Sequence, residues 1–153
     1  MKIFLKYSLT IFLFVISCSQ GIVPSEQEPL RMRYVVQGTW IHPALLDVDS
    51  TGTVVLRLYD PCCPDSADSV VSALTETEMN RLTQRMAGFD RFSPHYQPTR
   101  YVIDGTYQMI IRFYKQSSDT VTVYQRADCV LPEDLEALLD LLENLRIKLT
   151  ALL

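Results

Sequence analysis

The alternation of apolar and polar residues changes period several times along this chain, and each change marks an element. Residues 9–16 are almost unbroken apolar sequence, and residues 19–30 are polar, with Pro24, Ser25, Glu26, Gln27, Glu28 and Pro29 in a row. Residues 31–37 form a short β-prone run that Gly38 and Thr39 end. Residues 44–48 and 53–59 are two further apolar runs around the turn-forming cluster Asp49-Ser50-Thr51-Gly52, which predicts a hairpin. Residues 60–68, with Pro61 and Pro64 around a cysteine pair, read as a loop, and residues 69–74 as a last strand before the first helix. That helix has a strong start. Thr75 and Glu78 are spaced as a capping box, and Leu74 and Met79 can staple across it. Met79, Leu82 and Met86 then share one face, and Gly88 is placed to end the helix.

The second half again runs from strands to helix. Residues 100–103 and 106–114 are β-rich around Asp104-Gly105, which is either a tight hairpin turn or a bulge in one long strand. Ser117-Ser118-Asp119 turns the chain into a strand over residues 120–126. The last helix starts at about Pro132, a favoured first-turn residue. Leu131, Leu135, Leu138, Leu142, Leu145 and Leu149 make its apolar stripe, which Leu139, Leu141 and Ile147 widen. Glu133, Asp134 and Glu136 come early and Arg146 and Lys148 late, matching the helix dipole. These elements predict an α+β fold: a two-layer domain in which an antiparallel sheet carries two helices on one face.

The first seventeen residues carry an address. Lys2 and Lys6 precede the apolar run, which is shorter than the roughly 20 residues a spanning helix needs. It ends in Val15-Ile16-Ser17-Cys18, which resembles the lipobox of bacterial lipoproteins. The resemblance implies removal of residues 1–17, acylation of Cys18 with chains such as palmitate, and attachment to the membrane through that lipid anchor; several acyl chains on one residue hold stably. By likeness to the sorting rules of such proteins, Ser19 points to the outer membrane, and the absence of an acidic export tag after the cysteine points to its periplasmic leaflet. Residues 18–30 then form a lipidated tether of up to roughly 40 Å, and residues 31–153 a single domain.

Charge narrows the partners. Without Lys2 and Lys6 the 14 basic residues become 12 against 18 acidic ones, a formal charge of −6, which excludes nucleic acid as a partner. Cysteine count narrows the chemistry. Beyond Cys18 there remain Cys62, Cys63 and Cys129, an odd number, and an oxidising envelope favours a disulfide from Cys62 or Cys63 to Cys129 worth roughly 4 kcal/mol. Cys-Cys lacks the spacer of a redox motif, and no histidine stands near it to complete a metal site. The run from Phe89, Phe92, Tyr96 and Asp104 through residues 107–114 and 121–124 to Pro132 and the leucine-rich helix resembles small secreted bacterial domains of unknown function, over about half the chain. That group has no assigned activity to carry over.

No candidate catalytic or cofactor motif stands out. Residues 47–52 resemble the opening of an EF-hand loop, but the twelfth position is Leu58 instead of a bidentate glutamate, and a hairpin turn explains the same residues. His42 and His95 are the only histidines, each beside a proline, in neither a nucleophile motif nor a zinc spacing. Trp40, beside His42, reads as lining a pocket or packing in the core. Arg112 and Tyr114 alternate on one side of their strand, and Thr122 and Tyr124 on one side of the next. Together they would make an aromatic, polar binding surface for an envelope protein or a glycan. The expectation is a membrane-anchored, non-catalytic binding or accessory module; the alternative is a small periplasmic hydrolase or thiol-redox enzyme built on His42, His95 or the cysteines.

Overall fold

The computed structural model describes residues 28–39, 41–100 and 105–153. Residues 1–17, Cys18 and most of the tether, Trp40 and the Tyr101–Asp104 segment lie outside the described residues. The chain runs β1 (Met32–Gln37), β2 (Ala44–Val48), β3 (Thr53–Asp60), β4 (Cys63–Ala73), α1 (Glu76–Met86), β5 (His95–Tyr96), β6 (Tyr107–Phe113), β7 (Ser118–Tyr124) and α2 (Glu133–Thr150), with single 3-10 turns at Phe89–Arg91 and Arg126–Asp128. Seven strands form one sheet in the order β4-β3-β2-β1-β6-β7-β5. Neighbours are antiparallel except β5, which joins β7 in parallel. The fold is α+β, as the alternation of strand and helix patterns predicts.

Topology follows from the turns. Four consecutive strands, β1 to β4, meander to one edge; α1 and the residues after it carry the chain to the opposite edge, where β5 pairs. The β2–β3 hairpin is closed by Asp49, which accepts the Gly52 backbone N–H at 3.1 Å. Its carboxylate accepts the backbone N–H groups of Thr51 and Thr53 at 2.8 and 3.0 Å and the Thr51 hydroxyl at 2.7 Å. Gly52 supplies the left-handed residue at φ +83°, which a three-residue hairpin loop requires. Asp49 thus holds its own turn through Oδ1 and its backbone carbonyl.

Helix α1 begins with both halves of the capping box: the Glu78 N–H donates to the Thr75 hydroxyl at 3.2 Å, and the Thr75 N–H donates to the Glu78 carboxylate at 2.8 Å. Gly88, at φ +75°, turns the chain out after it. Both helices cover one face. Met32, Tyr34, Val36, Leu46, Val54, Leu56, Ile110, Val121 and Val123 from the sheet pack with Leu82 and Met86 of α1 and Leu135, Leu138, Leu139, Leu142, Leu145 and Leu149 of α2 in one core. Each such leucine removed from water contributes roughly 1.5–3 kcal/mol.

Four expectations need correction. The loop over residues 60–68 is two residues long: Asp60 pairs with Cys63, and β4 continues from there past a bulge to Ala73. Pro61 sits in the two-residue turn, and Pro64 falls in the bulge of an edge strand, where a missing N–H costs no ladder bond. The strand expected over 120–126 runs from Ser118 to Tyr124, and Arg126 starts a 3-10 turn. Ile147 is 54% exposed and does not widen the α2 stripe, whereas Leu139 is fully buried. Leu30, placed with the tether, is buried in the core, and Glu28 accepts a hydrogen bond from the Lys115 N–H, so the domain starts a few residues before Arg31.

Candidate functional site: the uncovered face of the sheet

Because both helices lie on one side, the other side of the sheet has no covering layer among the described residues. Strand register fixes what it presents. Asp47, Arg33 and Ile111 stand in one cross-strand row with Val55 and Thr120, and Leu45, Val35 and Met109 in the next with Arg57 and Thr122. Phe113 and Val71 extend the rows toward opposite ends of the face, and Val71 is 66% exposed. Apolar side chains therefore run across five strands, β4 to β6 in sheet order, a composition that solvent alone does not favour.

A charged cluster sits in the middle of this apolar field. The Asp47 carboxylate accepts hydrogen bonds from Arg33 Nε at 2.7 Å, Arg33 Nη2 at 3.3 Å and Arg57 Nη1 at 2.9 Å. Asp47 is the most sheltered of the three, its side chain 25% exposed against 39% and 40% for the arginines. Hydrogen bonding to Asp47 raises Arg33 further above its ordinary basic range, and its guanidinium lies 6.0 Å from the Phe113 ring centroid, a cation–π distance. Beside the cluster is a depression of about 380 Å³ lined by Arg31, Arg33, Asp47, Thr53, Val55 and Phe113. Its charged groups are fixed by hydrogen bonds inside an apolar frame.

The expected binding face is divided between the two sides of the sheet. Val123 pairs with Gln108 and Val121 with Ile110, which puts Arg112 on the helix side and Thr122 on the uncovered side. Arg112 donates to the Met86 carbonyl at 2.7 Å, capping the end of α1, and its guanidinium lies 5.0 Å from the Tyr114 ring. Tyr114 donates to Asp119 at 2.9 Å. Both have structural tasks. Thr122, at 7% exposure, and Tyr124, tilted against Tyr107 at 6.1 Å between centroids, remain on the open face.

The disulfide is corrected as well. Cys62, Cys63 and Cys129 are all free. The pair sits where β3 turns into β4 and Cys129 just past β7, with β2, β1 and β6 between those strands, a separation of about 19 Å at about 4.8 Å per step. A disulfide needs α-carbons within about 7 Å. Cys129 instead donates its thiol to the Tyr124 carbonyl at 2.9 Å. His42, exposed with Nδ1 3.4 Å from the Tyr59 carbonyl, precedes β2, and His95 lies in β5, four strand steps away. Among the described residues no three metal-binding side chains gather, and no helix is long and apolar enough to cross a membrane.

The Arg33–Asp47–Arg57 cluster lies outside the sequence reading, although two of its three residues have a sequence signal. Asp47 and Arg57 interrupt apolar runs on either side of a recognisable turn, and the hairpin register makes them diagonal neighbours. Arg33 joins only because β1 pairs with β2, which no local pattern announces. In comparisons with known proteins, no family model matches the chain and no curated protein matches it.

Proposed function

We propose that this chain is a non-catalytic binding module of the cell envelope, held at the outer membrane by an acylated Cys18 and docking a protein partner on the uncovered face of its sheet. The observation that carries the reading is the apolar band from Val71 to Phe113, with an ion cluster at its centre, on a face that neither helix covers. The lipobox-like Val15-Ile16-Ser17-Cys18 supports the address, and the separation of His42 from His95 leaves the hydrolase alternative without a histidine pair among the described residues; the thiol-redox alternative now rests on Cys62 and Cys63 alone, adjacent and exposed. The test is affinity capture from the native membrane with the lipidated protein and two variants. Ile111→Asp, on the open face, should lose a partner that Ile147→Asp, on the outer side of α2, retains, with both variants melting cooperatively. A partner kept by Ile111→Asp and lost by Ile147→Asp would move the docking surface to the helices and sink the reading.

A further inference from the structure

We infer that the partner meets the open face through an apolar segment carrying a carboxylate, seated on Arg33 and Arg57; this rests on the open face being the docking surface. Two guanidinium groups share one carboxylate there, so the cluster keeps one uncompensated positive charge in a chain whose formal charge is −4, or −6 without Lys2 and Lys6. Asp47 has no strong claim left to offer: Oδ1 is taken by Arg33 and Oδ2 by both arginines. Among the described residues Arg57 makes no side-chain hydrogen bond other than that from Nη1, and Arg33 uses only Nε and Nη2. Spare donors on both guanidinium groups are therefore left to water.

Covering the face removes that water. The donors stand among Val35, Leu45, Val55, Ile111 and Phe113, so a partner that seals the apolar band must pair them or bury charged groups unsatisfied, which costs more than the band returns. A planar guanidinium fork matches a carboxylate in two parallel hydrogen bonds. A second copy of this chain seated face to face would set one uncompensated positive cluster against another, a like-charge contact that costs several kcal/mol. Asp49, the other acid beside the depression, is tied to its own turn through Oδ1, and its charge is offset by Arg31 alongside, which leaves the excess positive charge at Arg33 and Arg57. Apolar plus acidic is the chemistry that satisfies the whole surface.

Selection of a displayed random peptide library on the immobilised full chain tests this. Enriched peptides should place Asp or Glu beside aliphatic or aromatic residues, and Ile111→Asp should abolish their binding. Arg57→Gln should weaken a representative peptide roughly tenfold, the scale of one hydrogen bond to a charged group, while Asp47→Asn, which frees more positive charge, should tighten it. Both substitutions break the same ion pair, so opposite signs cannot come from unfolding. Enriched peptides that are basic or uncharged but still lost on Ile111→Asp would overturn acidic recognition and leave the docking face standing. Peptides indifferent to Ile111→Asp, no enrichment at all, or a concentration-dependent dimer lost on Ile111→Asp would overturn the inference; the first two would sink the docking face with it.

Discussion

Thr75 and Glu78 show how much two side chains decide at the start of a helix. Removing the cap with Thr75→Ala should cost about 1 kcal/mol, read as a lower denaturant midpoint at unchanged slope. Glu78 also receives Lys148 of α2 at 2.7 Å. That hydrogen bond, followed by those from Thr75, holds its carboxyl at about 2 against an ordinary 4.5. A depressed carboxylate contributes stability that is present above its ordinary value and lost as pH falls toward the folded one. The stability difference between the native chain and Glu78→Gln should therefore shrink between about pH 4.5 and 2; a difference constant across that window would mean Glu78 is not held low. The cysteines divide in the same local way. Cys62 and Cys63 are exposed, while burial, and after it Asp128, pushes the Cys129 thiol up. Since the thiolate is the nucleophile, timed alkylation with mass readout should label two sites fast and one slowly. Three equal rates would contradict the geometry at Cys129.

At the scale of elements, the features most legible in the sequence are the local ones. The capping box, the Asp49–Gly52 turn and the leucine stripe of α2 each depend on residues within one or two turns of one another. Where the signal was ambiguous the reason is physical: Pro61 and Pro64 suggest a loop in any internal strand, and only the position of β4 at the sheet edge lets its strand begin at Cys63. Ile147 fits a wide stripe by spacing alone, yet it stands exposed while Leu145 and Leu149 on either side of it are buried. Two substitutions separate these cases. Leu138→Ala empties a fully buried site and should cost about 2–5 kcal/mol, whereas Ile147→Ala should stay within about 0.5 kcal/mol. For the hairpin, Gly52→Ala meets nothing closer than 3.9 Å, so its cost is the left-handed backbone alone, about 1–2 kcal/mol, measured by chemical denaturation.

For the whole molecule, the layer count was legible and the strand order was not. Periodicity says which residues of a strand share a side, but which side faces the helices depends on pairing between β6 and β7 and between β1 and β6, contacts 5 to 80 residues apart in sequence. That is why Arg112 and Tyr114 were grouped with Thr122 and Tyr124, and why the Arg33–Asp47–Arg57 cluster went unseen. The address is tested independently of the fold. Cys18→Ala should leave the protein in the aqueous fraction on detergent phase separation, and the native chain should lack residues 1–17 by mass; an intact Met1 would remove the anchor. If the anchor holds, the place of β1 gains a mechanical meaning. The strand nearest the tether is also the middle strand, hydrogen-bonded to β2 on one side and β6 on the other. Tension drawn through the N-terminus runs along β1, across the direction of both ladders, so the strand can leave only by shearing two rows of bonds at once. A load from the membrane enters the domain where it is hardest to unravel.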